Sequence, residues 1–259
     1  LARHHFDPAA PGGLRGTAER LQRAAAAVRD RLSIDTWRIL QHLGGRIAAL
    51  TPAAAADIGG TQARLDSVLL SLDAASGLAM ENMTRGLGWR FFDMGRRIER
   101  ANHVIDLLSG ATEGTEADLG PTLDLLLSVL DSVMTYRARY LSAPQYLPVL
   151  DLLMCDETNP RSLAYQFQAL SAHVESLVAI RETARTRPEQ RLMVFLAGTV
   201  RTADVDVLAR AEEDGTRHEL AEVLEMLRSR VWELSEVLTR EYFTLAGRRA
   251  QPWRHAGGA

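Results

Sequence analysis

The chain has 259 residues, a formal net charge of −3 and 46% hydrophobic residues, ample for a real core and without an overall field that would favour nucleic acid or anionic lipid. All 30 basic residues are arginine, which excludes Schiff-base lysine chemistry and a phosphate-loop lysine. The lone Cys155 cannot form an internal disulfide, no apolar run approaches the roughly 18 residues needed to span a bilayer, and a soluble, cytoplasmic protein without membrane or nucleic-acid partners is expected.

Residues 11–31 read as a first helix, with Pro11 at its first position and Leu14, Ala18, Leu21, Ala25, Val28 and Leu32 along one face. Ser33 is the natural N-cap of a second helix, with Asp35 in its first turn and Trp37, Leu40 and Leu43 following; Gly44-Gly45 should fray or kink it. Residues 51–60 read as a linker. A long helix follows from about Thr61 to Gly110, with Gly77, Gly86 and Gly88 as candidate bends. After an acidic loop over 111–120, Pro121 is expected to open a fourth helix with the inner line Leu123, Leu126, Leu130, Val133, Arg137, Tyr140. An arginine therefore falls where a core residue is due.

A short apolar helix covers 146–154. Asp156, Asn159 and Pro160 read as the cap motif of the next helix, which runs to about Ala184. The seventh helix is expected from Pro188 to about Glu213. The eighth spans 217–245, with Leu220, Leu224, Leu227, Val231, Leu234 and Leu238 inward. The fold class is all-α, a multi-helix bundle over residues 1–246 with a disordered polar tail over 247–259. Asp7, Pro11 and Leu14 match Asp156, Pro160 and Leu163 at one constant offset, and the apolar stripes that follow also correspond. This favours a tandem duplication. The first unit's counterpart of the long helix would then lie upstream of Leu1, so the chain is expected to be the C-terminal portion of a longer protein.

Charge concentrates on the stretch 81–108. Met80, Met83, Leu87, Phe91, Met94, Ile98, Ala101, Ile105 and Leu108 make its apolar face, and Glu81, Arg85, Phe92, Arg96, Glu99 and His103 form a second line about 100° away. Because an arginine on a core stripe is rarely buried without a partner, Arg137 is expected to meet Glu99 or Glu81. The resulting candidate is a partly buried network of Glu81, Arg85, Arg96, Glu99, Tyr136, Arg137 and Tyr140. Metal is not expected: a di-metal bundle needs Glu-x-x-His pairs, and Glu99 and His103 are four apart with no second pair. No Ser/His/Asp arrangement can be assembled, and catalytic residues stay unassigned.

The residues that bear a family resemblance are Val28-Arg29-Asp30-Arg31-Leu32-Ser33 leading to Trp37, the block from Glu81 to Arg100, Met134-Thr135-Tyr136-Arg137 with Arg139-Tyr140, and the run from Asp156 to Leu163. Together they resemble the bacterial alpha-E family, an all-helical domain with a Glu-Arg motif, here Glu99-Arg100. The resemblance implies association, by fusion or as a neighbour, with circularly permuted ATP-grasp proteins that join carboxylates to amines, often beside transglutaminase-like peptidases. It implies an accessory or interaction domain for peptide or amino-acid modification. ATP and Mg are expected at the ligase and no cofactor in this chain. In that reading Glu81, Arg85, Glu99, Arg100, Tyr136 and Arg137 line an interhelical cleft. Two alternatives stay open: an enzyme in its own right using the Glu/Arg/Tyr cleft, and a structural domain that forms homo-oligomers.

Overall fold

The computed structural model describes residues 13–50, 58–114, 116–179 and 186–243. These contain eleven α-helices and no strand, as the 3.6-residue periodicity requires. The chain divides into two compact units, Leu1–Arg85 and Gly86–Ala259.

The first unit holds α1 (Leu14–Ala27), a 3-10 turn (Arg29–Arg31), α2 (Ile34–Ala48) and α3 (Ile58–Asn82). Ser33 caps α2 as expected, its hydroxyl accepting from the Thr36 amide at 3.1 Å. Gly44 and Gly45 do not break α2; a Cβ at Gly44 would fall on the Gln22 amide, so this glycine marks a close approach of α1 and α2. α2 also packs on α3, where Arg46 donates to the Ser67 carbonyl at 2.9 Å and to the Ser71 hydroxyl. Ala18, Leu43, Ile47, Leu50 and Val68 form a small core.

The second unit holds α4 (Leu87–Ser109), α5 (Glu116–Val129), α6 (Val133–Tyr140), α7 (Tyr146–Leu150), a π turn (Asp151–Cys155), α8 (Leu163–Ala179), α9 (Pro188–Arg201), α10 (Val205–Ala209) and α11 (His218–Tyr242). α4 packs on α8 and α11, and α9 packs on the same two, so these four helices close a ring around one core. The six expected leucine and valine positions of α11 are all buried, as are Met94, Ile98, Ala101, Ile105 and Leu108 of α4. Each large apolar side chain so buried contributes about 2 kcal/mol.

Several boundaries differ from the sequence reading. The expected long helix is two, because the chain leaves helical geometry over Met83–Gly86 and restarts with Gly86 as N-cap. α5 begins at Glu116, so Pro121 lies inside it. The inner line drawn from Leu123 to Tyr140 is interrupted after Val129, where Asp131 adopts a left-handed conformation (φ 48°) before Ser132. The joint rotates the phase of α6: Tyr136 turns inward, and Arg137, expected in the core, is exposed. α8 starts at Leu163, capped by Ser162, whose hydroxyl accepts from the Tyr165 amide at 3.0 Å. The seventh helix stops at Arg201, and the short α10 follows.

Leu14 and Leu163 are each the first residue of a helix, α1 and α8. Each helix packs on the next, α1 on α2 and α8 on α9; α2 then packs on the 25-residue α3, and α9 on the 25-residue α11. Asp7, Pro11 and the 247–259 tail lie outside the described residues, as do most of the expected 51–60 linker and the 180–185 stretch of the sixth helix. Among the described residues no helix is long and apolar enough to cross a membrane.

Candidate functional site

A buried charge with several partners in the second unit is Asp93, one position before Met94 on α4 and 4% exposed. A carboxylate placed there needs donors. Arg97, one turn on, donates from Nε to its Oδ2 at 3.2 Å and His173 of α8 meets the same oxygen through Nε2 at 2.9 Å. Arg96 reaches Oδ1 at 3.4 Å. Arg97 also donates to Gln166 Oε1 at 3.2 Å and lies over the Tyr165 ring at 5.2 Å. Gln166 in turn donates to the carbonyls of Pro160 and Ser162 at 2.7 and 3.2 Å. One unbroken line of polar contacts thus joins α4, α8 and the loop before α8. Burial alone would push the Asp93 carboxyl up, but the His173 hydrogen bond, with the charge and hydrogen bond of Arg97, holds it below the ordinary carboxylate value.

Arg100 sits one turn beyond Arg96 on α4 and is half-buried. Among the described residues no carboxylate lies within ion-pair distance of it; its burial and the positive charges of Arg96, Arg161 and Arg97 disfavour its charged form, with Asp93 opposing them. Arg161 pairs with the exposed Asp131 at 3.3 Å.

A second cluster surrounds the loop between the π turn and α8. Asn159 is 4% exposed. It donates from Nδ2 to the Leu152 carbonyl at 3.0 Å and the Ser132 hydroxyl at 3.3 Å, and its Oδ1 accepts from the Arg161 amide at 3.0 Å. Asp156 accepts from the amide and hydroxyl of Thr158 at 2.8 and 2.7 Å and pairs with Arg139 at 2.8 Å. Tyr136 packs against Tyr140 with ring centres 4.9 Å apart and a 39° tilt, donates to the Ala143 carbonyl at 3.2 Å and accepts from the Gln145 amide at 3.1 Å. Tyr140 donates to Asp151 at 3.4 Å.

The structure therefore brings together some of the residues singled out in the sequence. Arg96 and Arg100 lie one turn apart on α4, and the rings of Tyr136 and Tyr140 pack against each other at a tilt of 39°. Glu81 and Arg85 belong to the first unit and are exposed, with Arg85 donating to the carbonyls of Met83 and Met80. Glu99 and Arg137 are exposed and form no ion pair among the described residues, so the expected partnership of Arg137 with Glu99 does not form. Asp156, Asn159 and Pro160 lie ahead of α8, shaping its approach loop while Ser162 supplies the cap.

Asp93, Arg97, His173 and Gln166 were not singled out as site residues. The i,i+4 spacing of Asp93 and Arg97 was the local signal; nothing local marks His173, eighty residues away. Arg217 was also missed. It is 2% exposed and donates to the carbonyls of Ala209, Thr112 and Gly114 at 2.9, 3.5 and 3.0 Å, with its guanidinium 3.7 Å from the centre of the Tyr146 ring. Carbonyl dipoles and a π face there take the place of a carboxylate.

A ring of four helices with a basic corner on α4 defines an all-helical domain whose buried polar groups join helix to helix. The chain belongs to the Alpha-E family, described as a predicted alpha-helical domain with a conserved ER motif, which matches residues 1–243. It is also similar to uncharacterized proteins of Mycobacterium bovis and of two strains of Mycobacterium tuberculosis. Each is 32% identical over 257 residues, covering 95% of this chain and 28% of the relative. The chain thus spans little more than a quarter of the length of these curated relatives. No solved structure matches it.

Proposed function

We propose that this chain is an accessory helical domain of an ATP-grasp ligase system that forms amide bonds on peptide or amino-acid substrates. The observation that carries this reading is how the buried polar side chains are used. Asp93, Gln166, Asn159 and Arg217 each connect one helix or loop to another, as in a scaffold that holds a surface in shape. Membership of the Alpha-E family supports the reading through the resemblance to domains found with ATP-grasp proteins. So does the length of the mycobacterial relatives, in which most of the polypeptide lies beyond the matched region. In this reading ATP and Mg are bound by the ligase.

The test is co-expression with the ATP-grasp protein or domain of the same system, followed by copurification and by measurement of ATP-dependent amide formation with and without this chain. Stable association together with a change in ligase rate is expected. No association and an unchanged rate would overturn the proposal.

A further inference from the structure

We propose that Arg100, with Arg96 one turn away on α4 and Arg161 of the loop before α8, is a binding site for an oxyanion, the carboxylate or phosphate group of a small molecule or peptide. The corner carries four guanidinium groups, those of Arg96, Arg97, Arg100 and Arg161, against the two carboxylates Asp93 and Asp131. Asp93 is already committed to Arg96, Arg97 and His173, and Asp131 to Arg161. That leaves Arg100 half-buried, with no carboxylate of its own among the described residues.

Such an arrangement is unfavourable when empty. A desolvated cation lacks the water that would stabilise it, and like charges one turn apart on a helix repel. Arg100 is correspondingly a destabilised cation: burial, then the fields of Arg96, Arg161 and Arg97, outweigh the attraction of Asp93. An incoming oxyanion offsets both costs by pairing its charge with the guanidinium, which offers it two parallel donors in one plane. The corner is also reachable, because the Arg96 and Arg161 side chains are 22% and 38% exposed. Asp131 is 82% exposed, so Arg161 can turn from it to a ligand at little cost. The inference rests on these charges alone and holds whether or not the chain serves a ligase.

The intact chain is to be titrated by calorimetry and by thermal melting with inorganic phosphate and, separately, with glutarate, at constant ionic strength. Saturable binding of at least one probe is expected, with a rise in melting temperature. Affinity should fall by about tenfold or more in Arg100→Gln, as loss of a charge-assisted hydrogen bond implies, and should be unchanged in Arg230→Gln, whose arginine pairs with Glu233 on α11. Without a probe, Arg100→Gln should melt no lower than wild type, because it removes a repelled charge. Arg161→Gln, altering a more exposed side chain, should weaken binding too and provides the measurement if Arg100→Gln fails to fold. Saturation by phosphate alone assigns a phosphoryl ligand, and saturation by glutarate alone a carboxylate. Failure of both probes to saturate wild type, or wild-type affinity in folded Arg100→Gln and Arg161→Gln, would overturn the proposal.

Discussion

Asp93 on α4 and His173 on α8 meet at 2.9 Å, and the same carboxylate oxygen takes the Nε donor of Arg97. Replacing Asp93 by Asn leaves Arg97 and His173 facing a neutral amide in a buried setting. The expected loss is about 3 kcal/mol. The pH dependence follows from the sign of the shift. Since the folded-state pKa of Asp93 is depressed, its contribution is present above the unfolded value of about 4 and is lost as pH falls through the lower folded-state value. Urea midpoints measured from about pH 7 down to about pH 3 should show wild type losing more stability in acid than Asp93→Asn. Equal acid slopes would count against the assignment.

Asn159 satisfies three partners from one side chain, reaching back to Leu152 and Ser132 and forward to the Arg161 amide. Asn159→Ala should cost about 2 to 3 kcal/mol, because the Leu152 carbonyl and the Arg161 amide lose their donor and acceptor away from water. Asn159→Asp, which keeps the acceptor and loses the donors, should recover only part of that. Equilibrium urea unfolding of the three proteins measures both differences.

Arg137 is the contrasting case. Its side chain is exposed and has no ion pair among the described residues, so Arg137→Met should change unfolding free energy by less than about 0.5 kcal/mol. A loss of several kcal/mol in the same assay would mean that α6 does not present Arg137 to solvent.

The Cys155 thiol is half-buried and pushed up to about 11, first by burial and then by the negative charge of Asp151. At about pH 7.5 fewer than roughly one thiol in a thousand is ionised, and the thiolate is the reactive form. Reaction with a chromogenic disulfide reagent should therefore be far slower in the native chain than in urea. Rapid labelling of native protein would contradict this environment.

Much of the helical scaffold was legible from periodicity. The stripes of α4 and α11 and the Ser33 cap all follow from residue spacing. What failed was phase across a break. Asp131 and Leu141, at φ 48° and 51°, carry no glycine to announce a left-handed turn. A stripe counted straight through Asp131 therefore put Arg137 on the inner line and left Tyr136 off it. The π turn at Asp151–Cys155 adds a residue to a helical turn with no compositional sign. The charged corner was half legible: Arg96 stood out by spacing, and Arg100 through the Glu-Arg motif of the family resemblance. The partners that decide which arginine is satisfied, His173 and Arg161, come from elements far along the chain and are brought there by packing.

Arg217 carries a kinetic consequence. Its bonds to Thr112 and Gly114 span 105 and 103 residues of sequence, so they can form only after α4 and α11 have already been brought side by side. Contacts that form after the transition state leave the folding rate nearly unchanged and act on the barrier against opening. Removing this latch should shorten the lifetime of the native state while leaving the speed of its formation nearly unchanged.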